Sequence, residues 1–190
     1  GDAAFDGQGG LAVTDRRGDL YRVDARGERT LWAARVARTP RGLAFLSTGE
    51  LIVADSGRGM LVKVFPGGEV RTLVANLDAP MGLEVDPQDF VYVSEATRGA
   101  IRRIDPLTGR TQPLADAMTA APGALAFSAD YRTLYVALAR SPRIYALDRD
   151  AAGVFGALRV FATLDGVVPG ACMDLLEGDP CAGGGQCRID

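Results

Sequence analysis

The stretch GLEVDPQDFVYVSEATRG, residues 82–99, has a near copy forty positions upstream, GLAFLSTGELIVADSGRG, residues 42–59. Both read glycine, apolar, any residue, apolar; then a polar turn; then an apolar run closed by an acid and followed by Arg-Gly. Working outward, each copy opens on a proline, Pro40 or Pro80, and a third unit opens at Pro122 with PGALAFSADYRTLYVALARSPRIYALD. The start of the chain, AAFDGQGGLAVTDRRGDLYRVDARGERTLWAA, fits one period further back. In that frame Asp6 falls opposite Asp86, and Asp15 opposite Asp55 and Glu95.

Each unit holds four short apolar runs. In the second unit they are 43–46, 51–54, 61–65 and 70–75, separated by the turn signals STGE, DSGRG and PGGE. Runs of four to six residues rich in Val, Leu, Phe and Tyr suit strands and are too short for helices. Four strands in a period of about forty residues make the blade of a β-propeller. The runs LIVA, FVYV and LYVAL are apolar at consecutive positions, as blades stacked face to face require. The glycine of each opening Pro-x-Gly is expected where backbones crowd the central channel.

The expected fold is therefore all-β, with four antiparallel four-stranded blades at 1–39, 40–79, 80–121 and 122–168. Residues 169–190 open like a further blade (PGACMDLLEGD) and continue as a Cys- and Gly-rich tail. Two arrangements fit: part of a larger propeller, which is preferred, or a closed ring of four blades with the tail pinning the seam.

GLAFLSTGELIVADSGRG and GLEVDPQDFVYVSEATRGAIRRIDPLTG resemble NHL-type propeller repeats. GALAFSADYRTLYVALARSPRIYALDRDAAGVFGALRVFATLDG resembles the gluconolactonase–regucalcin branch. Together these resemblances cover about residues 1–170. They imply six blades in the complete propeller and a divalent metal, such as calcium, held by a Glu, an Asn and an Asp at the channel mouth. Here Gly123 stands where the Asn is expected and Gly170 where the Asp is, with Asp2 near the Glu position. Asp2 and Asp165 are the residues left to hold a metal. GAIRRIDPLTG also resembles streptogramin-lyase propellers, whose chemistry is associated with a histidine base; this chain has no histidine.

Composition narrows the function further. The net charge is −3 and the arginines are scattered, which gives no footprint for nucleic acid. No apolar run reaches the ~20 residues of a membrane-spanning helix. Without histidine, Ser-His hydrolysis and His-ligated zinc are excluded within these 190 residues. Cys172, Cys181 and Cys187 in a Gly-rich tail suggest an exported protein, secreted or periplasmic, with Cys181–Cys187 as the expected disulfide.

A second constellation recurs by position. Asp15, Asp55 and Glu95 close the second strand of a unit, and Arg17, Arg58 and Arg98 follow them. One reading has each carboxylate hold its own turn. The other uses topology: these loops share a face with the inter-blade linkers, hence with Arg41 and Met81, and form a rim for a small-molecule or protein ligand. The expected function is a binding module. The alternative is a calcium-dependent lactone or ester hydrolase with a degenerate metal site.

Overall fold

The computed structural model describes residues 2–164. Among the described residues sixteen strands form four separate antiparallel sheets, each in chain order. The first blade is β1 (Ala3–Phe5), β2 (Leu11–Thr14), β3 (Leu20–Val23) and β4 (Arg29–Ala33). The second is β5 (Pro40–Phe45), β6 (Leu51–Asp55), β7 (Met60–Val64) and β8 (Val70–Val74). The third is β9 (Pro80–Val85), β10 (Val91–Glu95), β11 (Ala100–Ile104) and β12 (Thr111–Ala115). The fourth is β13 (Pro122–Phe127), β14 (Thr133–Leu138), β15 (Arg143–Asp148) and β16 (Arg159–Thr163). There is no helix among the described residues.

The innermost strands of the last three blades begin at their proline, three residues earlier than the apolar run in the second unit indicates. Pro40 pairs with Asp55, and the register then breaks before Leu43. The same break separates Pro122 from Leu125. A proline is tolerated there because the first residue of a strand can forgo a ladder N–H.

Among the described residues three hydrophobic clusters hold the blades together. Leu51, Val53, Val62 and Val64 of blade 2 pack on Ala12, Leu20 and Ala33 of blade 1. The other face of the same strands presents Ile52, Ala54 and Leu61 to Leu83, Val91, Val93 and Ile104 of blade 3. Tyr92 and Ile101 of blade 3 then meet Leu125, Leu134, Val136, Leu138 and Leu147 of blade 4. Each fully buried Leu, Ile or Val contributes about 1.5–3 kcal/mol, so these interfaces dominate stability. Among the described residues no such cluster joins blade 4 to blade 1.

Polar staples reinforce the stack. The Lys63 ammonium crosses from blade 2 to the β11–β12 turn and donates to the Pro106 carbonyl at 2.8 Å. At the next interface Asp86 accepts from the Tyr92 hydroxyl at 2.8 Å and from Arg149 at 3.0 Å. Burial and the adjacent Asp86 push the Tyr92 hydroxyl well above the usual tyrosine range.

Candidate functional site

Each blade carries its first strand to the centre, so residues early in these strands converge. Arg41 and Gly42 of β5, Met81, Gly82 and Leu83 of β9, and Gly123, Ala124 and Leu125 of β13 line a cleft of ≈ 270 Å³. Asp2 completes it from the first blade. Its carbonyl accepts from the Thr14 N–H at 3.2 Å, and its own N–H donates to the Thr14 hydroxyl at 3.3 Å. The blade ladder thus delivers this carboxylate to the channel mouth.

The walls are formed by close approach of main chains. A Cβ on Gly42 would lie 2.6 Å from the Met81 carbonyl oxygen, and one on Gly82 would lie 2.3 Å from that of Gly123. Neither glycine has a left-handed backbone, so the requirement is space. The corresponding position in blade 4 is Ala124, which is exposed. Glu84, one residue beyond the cleft on β9, is half-buried, and burial raises its carboxyl above its ordinary 4.5.

The recurring acids lie beside the inter-blade linkers, on the same face as Arg41 and Met81. Asp55 is fully buried at the end of β6. It accepts from the main-chain N–H groups of Arg38 at 2.8 Å, Thr39 at 3.0 Å and Gly57 at 3.1 Å. Glu95 accepts from the Asp78 N–H at 2.8 Å and pairs with Arg102. Asp15 holds its own turn through Arg17 N–H at 2.8 Å and Asp19 N–H at 2.9 Å. These carboxylates therefore already serve the chain's own turns and linkers.

The following arginines are outside those cages. Arg58 is half-exposed, 3.4 Å from Asp55, and Arg98 lies between Asp78 and Asp116 at 3.8 and 3.6 Å. Arg17 is exposed. Of the rim residues named from the sequence, the cleft brings together Arg41 and Met81, and with them Asp2. Asp165, the further-blade start and Cys172, Cys181 and Cys187 lie outside the described residues.

Asp6 and Asp86, aligned by the repeat, do the same job at the far ends of their blades. Asp6 accepts from Gln8 and Gly10 N–H at 2.8 and 2.9 Å, and Asp86 from Gln88 and Phe90 N–H at 3.1 and 3.0 Å.

No protein-family model matches the chain, and no curated protein matches its sequence. Solved structures do match. A gluconolactonase from Xanthomonas campestris is 22% identical with a TM-score of 0.74, over 86% of this chain and 62% of that one. A chain of a nidogen–laminin complex is 23% identical with a TM-score of 0.74, over 85% and 64%. An auxiliary nutrient binding protein from Bacteroides ovatus is 15% identical with a TM-score of 0.71, over 84% and 41%. At these identities the likeness is one of fold. The chain spans less than two thirds of the length of each.

The propeller fold is thus shared by lactonases and by binding proteins, and the cleft must distinguish them. Calcium takes six to eight oxygen ligands. Among the described residues no three His, Cys, Asp or Glu side chains gather as a metal site. The cleft's described carboxylate is Asp2, and Gly123 beside it offers no side-chain oxygen. The described lining of the cleft thus supplies a single carboxylate toward such a set. Neither Glu84 nor Ala124 is marked in the sequence: each sits in an ordinary strand pattern, and only the packing of neighbouring blades gives it meaning.

Proposed function

We propose that this chain is an exported β-propeller binding module whose ligand or partner engages the channel mouth at Arg41 and Met81. The observation that carries the reading is the make-up of the cleft. It pairs one exposed cation, Arg41, and one carboxylate, Asp2, with walls of Gly, Ala, Leu and Met. Such a surface can orient a ligand through one or two charged contacts and exclude water from the rest. It offers no histidine base. The fold's occurrence in a nutrient binding protein and in a nidogen–laminin complex supports the same class.

The test is a labelled-protein screen against arrays of oligosaccharides and peptides, repeated with Arg41→Glu. The reading expects a saturable ligand whose affinity falls about tenfold or more, since truncating a charged contact costs about 1.5–3 kcal/mol. Asp2 at the mouth favours a second reading, a metal-dependent lactone or ester hydrolase. Lactone turnover that requires calcium and disappears in Asp2→Ala would establish that reading in place of the first.

A further inference from the structure

Three arginines among the described residues are withdrawn from full exposure: Arg102, Arg103 and Arg149. Two of them have a buried carboxylate. Arg102 pairs with Glu95, and Arg149 with Asp86. Arg103 has none within ion-pair distance, and no acceptor among the described residues takes any of its N–H groups. Its Nε is buried without a partner, as is that of Arg149, but only Arg149 also has an ion pair.

An unsatisfied buried donor costs about 1–3 kcal/mol, so the unpaired Arg103 calls for an explanation. What holds it is visible. Its guanidinium lies 3.4 Å from the centroid of the Phe90 ring, a cation–π contact that fixes the plane of the fork. The partner strand supplies neighbours: Arg103 is directly opposite Gln112 on β12, and Arg110 is two residues before Gln112. Phe90, Arg103, Arg110, Thr111 and Gln112 line a cleft of ≈ 540 Å³ on blade 3, away from the channel mouth.

One acid, Asp105, also lines this cleft. Its carboxylate accepts from the main-chain N–H groups of Leu107 at 2.8 Å and Thr108 at 3.2 Å. Its hydrogen bonds are thus spent on the β11–β12 turn, while its charge still acts on the nearby Arg103. Against it stand two guanidinium groups, so the cleft is net positive, with an amide and a hydroxyl beside them.

We propose that this cleft is a second ligand site, taking a small oxyanion, a carboxylate or a phosphate. The fixed fork of Arg103 offers parallel N–H donors to two oxygens of one anion, the geometry arginine provides and lysine does not. Gln112 adds an amide donor from the facing strand, and Arg110 adds charge at the exposed edge. Phe90 acts as the positioning residue by holding the fork flat.

The experiment is calorimetric titration of the 190-residue chain with inorganic phosphate and, separately, with glucuronate, which distinguishes phosphate from carboxylate as the source of the anion. Arginine Nε–H resonances are followed by NMR in parallel. Saturable binding of either anion, with the Arg103 Nε–H resonance shifting, is the expected result. Arg103→Gln should weaken it about tenfold or more. Should that variant fail to fold, Arg110→Gln combined with Gln112→Ala, both at exposed positions, should weaken binding several-fold. Arg41→Gln at the channel mouth should leave it unchanged, which separates this site from the proposed rim. Absence of saturable binding of both anions, or binding indifferent to the cleft variants, overturns the proposal.

Discussion

At the scale of single residues, the chain shows how one residue type serves one recurring task. The aspartates that the repeat aligns are hairpin locks: an Oδ1 placed to accept two N–H groups of the turn that follows. That was legible, because Asx turns depend only on local sequence. The status of Glu84 was not, because it depends on what the next blade places over it. Burial holds its carboxyl above 4.5, so the folded chain retains the Glu84 proton to higher pH than the unfolded chain does. The sign follows from linkage: the group costs nothing below its unfolded value, and its penalty grows as pH rises through the folded one. Glu84→Gln should therefore raise the urea midpoint at pH 7, and the gain should vanish when unfolding is repeated below pH 4.5. A loss of stability at pH 7 would show that the carboxylate makes a favourable contact that outweighs its burial. Arg103 was illegible for the same reason. In the sequence it is one of two arginines in AIRRI, and only the register separates the paired Arg102 from the unpaired Arg103.

At the scale of elements, turn signals and apolar runs located the strands, and errors concentrated at the innermost one. The runs began at Leu43, whereas the strand begins at Pro40, because a bulge lets the proline and its successor join the ladder without apolar alternation. The glycine expected to sit in a crowded channel does so at Gly42 and Gly82. The requirement differs between β9 and the neighbouring β13, where Ala124 stands at the position equivalent to Gly82 and Gly123 precedes it, which yields a paired prediction. A Cβ at Gly82 would meet main-chain atoms of β13 at 2.3 and 3.2 Å, whereas one at Gly123 would meet only the Ala137 carbonyl oxygen, at 3.7 Å. Main chain cannot swing aside, so Gly82→Ala should cost at least the ~1–3 kcal/mol of ordinary overpacking. Gly123→Ala should cost well under ~1 kcal/mol, typical of a substitution with no clash. Equilibrium unfolding in urea reads both. Equal losses would mean that the spacing between β9 and β13 adjusts freely.

At the scale of the whole molecule, the repeat predicted four blades over residues 1–168 and the described residues form four, but a repeat alone does not say which faces are covered. Burial does. Strands β6 and β10 are buried at every position, whereas β2 and β14 alternate between buried and half-buried. The alternation arises because blades 1 and 4 each have a single neighbour among the described residues. Their outer faces are nonetheless written in apolar residues. Phe5 and Leu31 are 76% and 53% exposed on blade 1, and on blade 4 Phe161 is 51% exposed, its ring 4.7 Å from that of Tyr135. In a stack of repeats, stability is a sum of nearest-neighbour interfaces, so a blade with one interface opens more readily than a blade with two. Hydrogen exchange on the 190-residue chain should therefore show a gradient. Amides of β6, β7, β10 and β11 should be the slowest, and those of β14 and β15 should exchange faster, although β14–β15 pairs over five positions as β6–β7 and β10–β11 do. The ladders being alike, the difference isolates the contribution of face-to-face packing from that of strand pairing. Uniform protection across all four blades would mean that the outer faces of blades 1 and 4 are covered in solution, by each other, by residues 165–190 or by a second copy. Dilution would then tell a second copy from the others, since only an intermolecular cover is lost as concentration falls.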